Sequence, residues 1–169
     1  MDYQKLVYST EGNVAIVKLN NPSNYNALSM RSWLELAQAM KQAQDDEGIC
    51  SILLCAEGTS FSSGFDMSDS LAMNSKDEFT KWQMIQNERD YIRSIWEIRK
   101  PIIAAVQGYC LGSGLELTLL ADYVLAAEDA IFGETELQFS TIPQPTLIFM
   151  LGLRSEERRV GKECRSRWS

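Results

Sequence analysis

Two apolar patterns alternate along this chain, and their alternation constrains the fold more than any single motif does. Nearly continuous apolar runs at residues 49–56 and 102–106 are typical of buried strands. Between these runs, apolar residues recur at steps of three and four, the spacing of one helix face. Strands that alternate with helices indicate the α/β class, although the pattern does not give the order of the strands.

The first fifty residues predict a hairpin followed by a helix. Strands are expected at residues 6–9 and 14–19, with Glu-Gly-Asn between them as the turn. Ser29 can cap a helix that ends near residue 45. Its predicted apolar face consists of Met30, Trp33, Leu34, Ala37 and Met40. Cys50 and Cys55 follow in an apolar run and are expected to be small core residues.

A long helix and a second group of strands are predicted farther along the chain. Ser75 and Glu78 form a capping-box pattern that opens a helix over residues 76–99, which Pro101 ends. A strand at 102–106, a glycine turn at 108–114 and a short helix at 115–120 follow, then strands at 123–127 and 130–132. The predicted apolar face of the long helix consists of Phe79, Trp82, Ile85, Ile92, Ile95 and Trp96.

Composition excludes several kinds of chemistry. The chain has no histidine, so a Ser-His-Asp triad, a Cys-His pair and a zinc site built on imidazole are all excluded. Any general acid–base catalysis must then use a carboxylate, tyrosine, cysteine or lysine side chain. The four cysteines match no metal-binding spacing. No apolar run is long enough for a membrane span and no signal-peptide pattern is present, so a cytoplasmic protein without a membrane partner is expected.

Composition changes abruptly after Leu153. Residues 154–169 contain six Lys and Arg, three Glu and only two bulky apolar residues. They resemble a translated sequencing adapter, so we predict a core at residues 1–153, itself incomplete, and an artefactual tail at 154–169. Without the tail the chain has ten basic and twenty acidic side chains, a formal net charge of −10 rather than −7. Such acidity argues against a nucleic-acid partner.

A strand, a glycine turn and a helix at residues 102–120 form the segment best suited to carry chemistry. Free N–H groups at a helix start favour negative charge, so the turn could hold a phosphate or an oxyanion. The alternative is a turn in which glycine serves tight packing alone. A dinucleotide-binding fingerprint is excluded, because Gly-x-Gly-x-x-Gly opening a longer helix is absent.

Two glutamates stand out near this segment. Glu116 lies among leucines, where a carboxylate is costly to bury unless it is paired or functional. It is therefore either a functional buried group or one exposed position on an amphipathic helix. Glu136 follows a predicted strand, and Glu134 would face the same side of an extended chain. One of these two could be functional, or both could be solvated.

Four motifs occur in a distinctive order. A strand with Asn-Ala-Leu-Ser spans residues 14–29, Phe-Ser-Ser-Gly-Phe-Asp-Met spans 61–67, Lys-Pro-Ile-Ile-Ala-Ala-Val-Gln-Gly spans 100–108, and Leu-Ala-Asp spans 120–122. Each alone is a weak signal, but in this order and separation they are specific. Over residues 1–143 the chain resembles the crotonase superfamily, also called the enoyl-CoA hydratase/isomerase family.

The resemblance implies a role for particular residues. The backbone N–H groups of Phe65 and Ser113 would form an oxyanion hole for the enolate of a coenzyme A thioester. Glu116 and Glu136 match the two catalytic glutamates of family hydratases, one activating water for attack at C3 and the other handling the C2 proton. The implied coenzyme A and substrate-binding residues are Ala27, Ser63, Phe65, Asp66, Met67 and Gly112.

The resemblance also implies an architecture and an activity. The fold would be a crotonase-like spiral of ββα units, here without the family's C-terminal helices, and the parent protein would form a homotrimer or hexamer. No metal or redox cofactor is implied, since coenzyme A is part of the acyl-CoA substrate. The main interpretation is an enoyl-CoA hydratase-like lyase. The alternatives are an enoyl-CoA isomerase, a non-catalytic acyl-CoA-binding relative, or a chain that is itself inactive.

Three departures from the family pattern bear on specificity. Ser113 replaces a common glycine, which leaves its N–H in place. Phe65 is bulkier than the usual alanine and would reshape the acyl pocket. After residues 141–143, Gln144-Pro145 replaces a glycine-rich turn, which points to a different acyl group or reaction.

Overall fold

A largely parallel sheet with helices packed against it forms the part of the chain that the computed structural model describes, residues 2–69 and 76–135. The strands are β1 (Leu6–Glu11), β2 (Val14–Leu19), β3 (Ser51–Ala56), β4 (Ile102–Val106), β5 (Tyr109–Leu111), β6 (Tyr123–Ala126) and β7 (Ile131–Gly133). The helices are α1 (Met30–Asp45), α2 (Glu78–Trp96) and α3 (Ser113–Leu119), with a 3₁₀ turn at Pro22–Asn24.

The main sheet has the order β1-β2-β3-β4-β6. β1 and β2 form the predicted antiparallel hairpin, with Leu6 opposite Leu19. The other neighbours in this sheet pair in parallel. β5 and β7 form a separate parallel pair. The α/β class is therefore confirmed, and the predicted glycine turn at 108–114 contains a short strand, β5, that sequence reasoning missed.

Helix α1 covers one face of the sheet. Ser29 caps it as predicted, and its hydroxyl accepts a hydrogen bond from the Ser32 N–H at 3.2 Å. At the other end, the Lys100 ammonium donates to the carbonyl oxygens of Ala43 and Asp46. The core between helix and sheet includes Ala15, Val17, Trp33, Leu36, Ala39, Met40, Ile52 and Leu54.

The face that α1 buries agrees with the predicted one only at Trp33 and Met40. Leu34 and Ala37 are only half-buried, whereas Leu36 and Ala39 are fully buried. The buried face also includes Glu35, which is 1% exposed because its carboxylate accepts from the N–H groups of Gln4 and Lys5 and pairs with Arg31. A face predicted from hydrophobicity alone therefore omits a buried polar residue that is hydrogen-bonded.

Three further predictions need correction. Asp77 caps α2, accepting from the Thr80 N–H at 2.9 Å, and Ser75 lies outside the described residues. Of the predicted apolar face of α2, only Ile92 and Ile95 are buried. Cys50 is exposed, because it precedes β3 rather than belonging to it, and Cys55 is half-buried.

Helices within the described residues are all too short or too polar to cross a membrane.

Candidate functional site

Two loops run side by side at the edge of the sheet where β3 and β4 end. The first loop comprises residues 57–66, after β3, and the second comprises residues 107–114, after β4. Three backbone hydrogen bonds join them: Phe61 N–H to the Gln107 oxygen (2.8 Å), Ser62 N–H to the Tyr109 oxygen (3.0 Å) and Leu111 N–H to the Ser62 oxygen (3.0 Å). We call this paired segment the loop crossing.

Glycines allow the two backbones of the loop crossing to touch. A Cβ at Gly64 would lie 2.9 Å from the Leu111 carbonyl oxygen and 3.6 Å from the Ser113 nitrogen. A Cβ at Gly108 would lie 2.0 Å from the Thr59 oxygen. The distances to the Leu111 and Thr59 oxygens are too short for a side chain, so these glycines serve packing between the loops. Tight packing, the alternative predicted for the glycine turn at residues 108–114, is therefore confirmed at Gly108.

Two backbone donors remain beside this contact. Ser113 is the first residue of α3, and Phe65 directly follows Gly64. Within residues 2–69 and 76–135, neither the Phe65 N–H nor the Ser113 N–H donates a hydrogen bond to an oxygen. Gly112, at the cap of α3, instead donates to the Gly133 oxygen at 2.9 Å. Unused N–H groups at a helix start can hold a developing negative charge.

Glu116 lies in the first turn of α3 and is 6% exposed. The prediction of an exposed position on an amphipathic helix is therefore wrong. Its N–H donates to the Gly112 oxygen at 3.0 Å, so α3 continues directly from the second loop. Glu134 is half-buried, and the alternatives predicted for it and Glu136 stay predictions. Glu136 itself lies outside the described residues.

The predicted binding residues of the first loop lie next to the Asn-Ala-Leu segment. Leu28 donates to the Gly64 oxygen at 2.8 Å and accepts from the Asp66 N–H at 3.0 Å. These bonds place Ala27 beside the first loop. Ala27 and Gly112 are buried, Phe65 and Asp66 are half-buried, and Ser63 and Met67 are exposed.

Asn26 and Ser62 are polar residues of this site that sequence reasoning did not single out. Asn26 is 2% exposed at φ 53°. Its side chain accepts from the Asn21 N–H and donates to the carbonyl oxygens of Glu57 and Ser60. Ser62 is fully buried. No local signal marks these two residues, because their side chains bond to segments that lie far away in the sequence.

One acid–base candidate is removed by burial. Cys110 lies in β5 within the second loop, and burial raises the pKa of its thiol to about 12. The thiol therefore stays protonated near neutral pH and is a poor nucleophile. Among the described residues, no group of three or more Cys, Asp or Glu side chains is arranged to hold a metal ion.

Comparison with known proteins matches residues 9–164 to the family model described as enoyl-CoA hydratase/isomerase. The chain is 36% identical over 133 residues to the Dictyostelium discoideum protein named "probable enoyl-CoA hydratase, mitochondrial", covering 79% of this chain and 46% of that protein. It is 31% identical over 144 residues to a short-chain-enoyl-CoA hydratase from Clostridium acetobutylicum, covering 85% and 54%. The chain thus spans about half the length of these relatives.

Solved structures agree with this match. An enoyl-CoA hydratase/isomerase from Xanthobacter autotrophicus superposes with a TM-score of 0.76 at 37% identity, covering 82% of this chain and 51% of that one. An enoyl-CoA hydratase from Polaromonas sp. superposes with a TM-score of 0.80 at 29% identity, covering 86% and 57%. The match to the family model includes residues 154–164, and the proposed boundary at residue 153 stays a prediction.

Proposed function

Because the chain belongs to the enoyl-CoA hydratase/isomerase family, we propose that it adds water across the double bond of a 2-enoyl-CoA thioester. The chain spans about half the length of its relatives, so the activity is proposed for the protein of which these residues form the core. Relatives at 31–36% identity carry hydratase names, which favours hydration over the other family reactions.

The observation that supports this proposal most is the loop crossing beside a buried carboxyl. Two backbone N–H groups without a described partner, those of Phe65 and Ser113, lie on either side of the contact between Gly64 and the second loop. Glu116 lies in the first turn of α3, three residues after Ser113, and is 6% exposed. Paired donors stabilise an oxygen that gains charge, and a carboxyl can move a proton.

In the proposed reaction, the thioester carbonyl oxygen accepts hydrogen bonds from the Phe65 and Ser113 N–H groups. One of Glu116 and Glu136 takes a proton from water while the water oxygen bonds to C3. The electron pair of the double bond then moves through C2 onto the carbonyl oxygen and forms an enolate. The other glutamate gives a proton to C2, and the electron pair returns, so the product is a 3-hydroxyacyl-CoA thioester.

Among backbone groups, the N–H groups of Phe65 and Ser113 are expected to contribute most to the rate of the reaction. Negative charge develops on the carbonyl oxygen only as the enolate forms, so the two hydrogen bonds strengthen toward the transition state. Removing a single donor of this kind costs on the order of 100-fold in kcat in other enzymes. Ser113 keeps the N–H that a glycine would supply at this position, and its burial places its side chain in the protein interior.

Substrate binding is proposed to use residues that lie in or beside the two loops, namely Ala27, Ser63, Phe65, Asp66, Met67 and Gly112. Phe65 is half-buried, so its ring would shape the acyl pocket. Coenzyme A enters as part of the substrate, and the steps above use no other group. A homotrimeric or hexameric assembly and a cytoplasmic location likewise remain proposals.

Reaction in ¹⁸O-labelled water tests the proposal. A 2-enoyl-CoA substrate should yield 3-hydroxyacyl-CoA carrying the label at C3, measured by mass spectrometry. Double-bond migration without label would identify an isomerase, and tight binding with neither change would identify a binding protein. Either of those two results would overturn hydration. Glu116→Gln and Glu136→Gln should each abolish labelling, whereas an isomerase that uses one carboxylate would tolerate loss of the other.

A further inference from the structure

Ser62 is fully buried where three segments of the site converge. We infer that Ser62 is a positioning residue, which fixes the separation between the Phe65 N–H and the Ser113 N–H. The inference rests on the proposed function, because the separation matters only if those two groups share one oxyanion. The contacts of Ser62 on either side of the loop crossing carry the inference.

The hydroxyl of Ser62 holds the first donor. Its O–H donates to the carbonyl oxygen of Asn26 at 2.9 Å, and its oxygen accepts from the Gly64 N–H at 3.2 Å. Asn26 is itself held by its side-chain hydrogen bonds to residues 21, 57 and 60. The bond from the Gly64 N–H fixes the peptide that leads into Gly64. The next peptide carries the Phe65 N–H, and its oxygen, that of Gly64, accepts from the Leu28 N–H at 2.8 Å, two residues after the Asn26 oxygen that Ser62 binds.

The backbone and Cβ of Ser62 hold the second donor. Its N–H donates to the Tyr109 oxygen and its carbonyl oxygen accepts from the Leu111 N–H, both at 3.0 Å. A Cβ at Gly114 would lie 2.7 Å from the Ser62 Cβ and 2.9 Å from its Oγ. The first turn of α3 therefore lies as close to Ser62 as a glycine backbone allows, and Ser113 is fixed with it.

Ser62 acts through its neighbours rather than on the substrate. Its hydroxyl already has one donor and one acceptor partner, and no part of the side chain is exposed. Loss of the hydroxyl would free the Gly64 N–H and let the first loop shift against α3. Displacement of a catalytic group by about 1 Å can cost on the order of 100-fold in rate.

The first experiment compares Ser62→Ala with Ser60→Ala. Ser60 lies in the same loop and is 4% exposed. The Asn26 side chain donates to its backbone oxygen, which the substitution keeps. We expect Ser62→Ala to lower kcat by about tenfold to 100-fold, with KM changed by less than about threefold. Ser60→Ala should leave both near the wild-type values. A role in stability alone would instead lower Tm and the yield of folded protein, with kcat per folded molecule unchanged.

A spectroscopic measurement separates this inference from the proposed function. When a saturated acyl-CoA binds to the wild-type protein, the infrared stretching frequency of its thioester carbonyl should fall below the value for the free compound. The reason is that two N–H groups polarise the carbonyl. In Ser62→Ala the fall should be smaller. An unshifted carbonyl in the wild-type protein would overturn both claims. A shift that stays at full size in Ser62→Ala would overturn only the role of Ser62.

A second pair of variants tests the same contact from the opposite side. Gly114→Ala places a methyl group against Ser62 and should lower kcat and reduce the carbonyl shift. In a Ser62→Gly background that methyl group has room, so the same substitution should have a smaller effect. Equal effects in both backgrounds would show that the close contact with Ser62 does not set the position of α3.

Discussion

The loop crossing and the outer half of α2, residues 78–88, differ in how completely each is packed. The loop crossing is made largely of glycine and serine, yet Ser62 and Cys110 within it are fully buried. The outer half of α2 contains apolar residues at helical spacing, yet Phe79 and Trp82 are 65% and 57% exposed. Their rings stack on each other with centroids 6.2 Å apart.

This contrast shows what each kind of sequence pattern specifies. A glycine in a tightly packed loop indicates contact with another backbone segment. The glycine is needed because a side chain would collide with a particular atom of that segment. Apolar spacing on a helix specifies only that a face is apolar, and the described residues bury just the inner part of that face, at Ile92 and Ile95. Stability should therefore depend on small residues at the loop crossing more than on large ones in the outer half of α2.

The largest effect is expected at Gly108. Its φ is +55° and an added Cβ would meet the Thr59 oxygen at 2.0 Å, so Gly108→Ala should lower the free energy of unfolding by about 4 kcal/mol or more. Gly12 is the matched control, because its φ is +57° and nothing lies within 4 Å of its added Cβ. Gly12→Ala should cost only about 1 kcal/mol for the left-handed backbone. Equal losses in urea denaturation would contradict the packing role of Gly108.

The two halves of α2 give the next test. Ile95 is 1% exposed and Ile85 is 44% exposed, so the same substitution can be compared within one helix. Ile95→Ala should lower the free energy of unfolding by about 3 kcal/mol through loss of buried area and a residual cavity. Ile85→Ala should cost less than about 1 kcal/mol. A large loss at Ile85 would show that the outer half of α2 is packed in solution.

Cys110 provides a smaller test through pH. Burial raises the pKa of its thiol from 9.0 to about 12, so the folded state holds the proton more tightly than the unfolded state does. This contribution to stability is complete below pH 9 and is lost as pH rises from about 9 to about 12. Between pH 9 and pH 10 the wild-type protein should lose about 1 kcal/mol more than Cys110→Ala does. Parallel pH profiles for the two proteins would show that Cys110 is exposed to solvent.

Much of the fold could be predicted from local chemistry. The β1–β2 hairpin followed from a Gly-containing turn between two apolar runs, and Ser29 was recognised as a cap because its hydroxyl can satisfy a free N–H at the start of α1. Pro101 correctly preceded a strand. These features depend on residues that are near one another in the sequence.

The errors arose where distant residues decide burial. Glu35 is buried because it binds the backbone of residues 4 and 5, about thirty residues away, and no local pattern reveals that partner. The site was predicted in part from glycines and from Glu116, whose burial is confirmed. Asn26 and Ser62 were missed because their role lies in side-chain bonds between segments 31 to 36 residues apart, such as that from Ser62 to Asn26.

The most direct test of the proposed function is the effect of Glu116→Gln on hydration and on binding, measured on the same protein. The substitution keeps the shape of the side chain and removes its ability to take or give a proton. The proposal predicts that the rate of ¹⁸O incorporation falls by at least about 100-fold, while the Kd for a saturated acyl-CoA changes by less than about threefold. Hydration at the wild-type rate in Glu116→Gln would contradict the proposal.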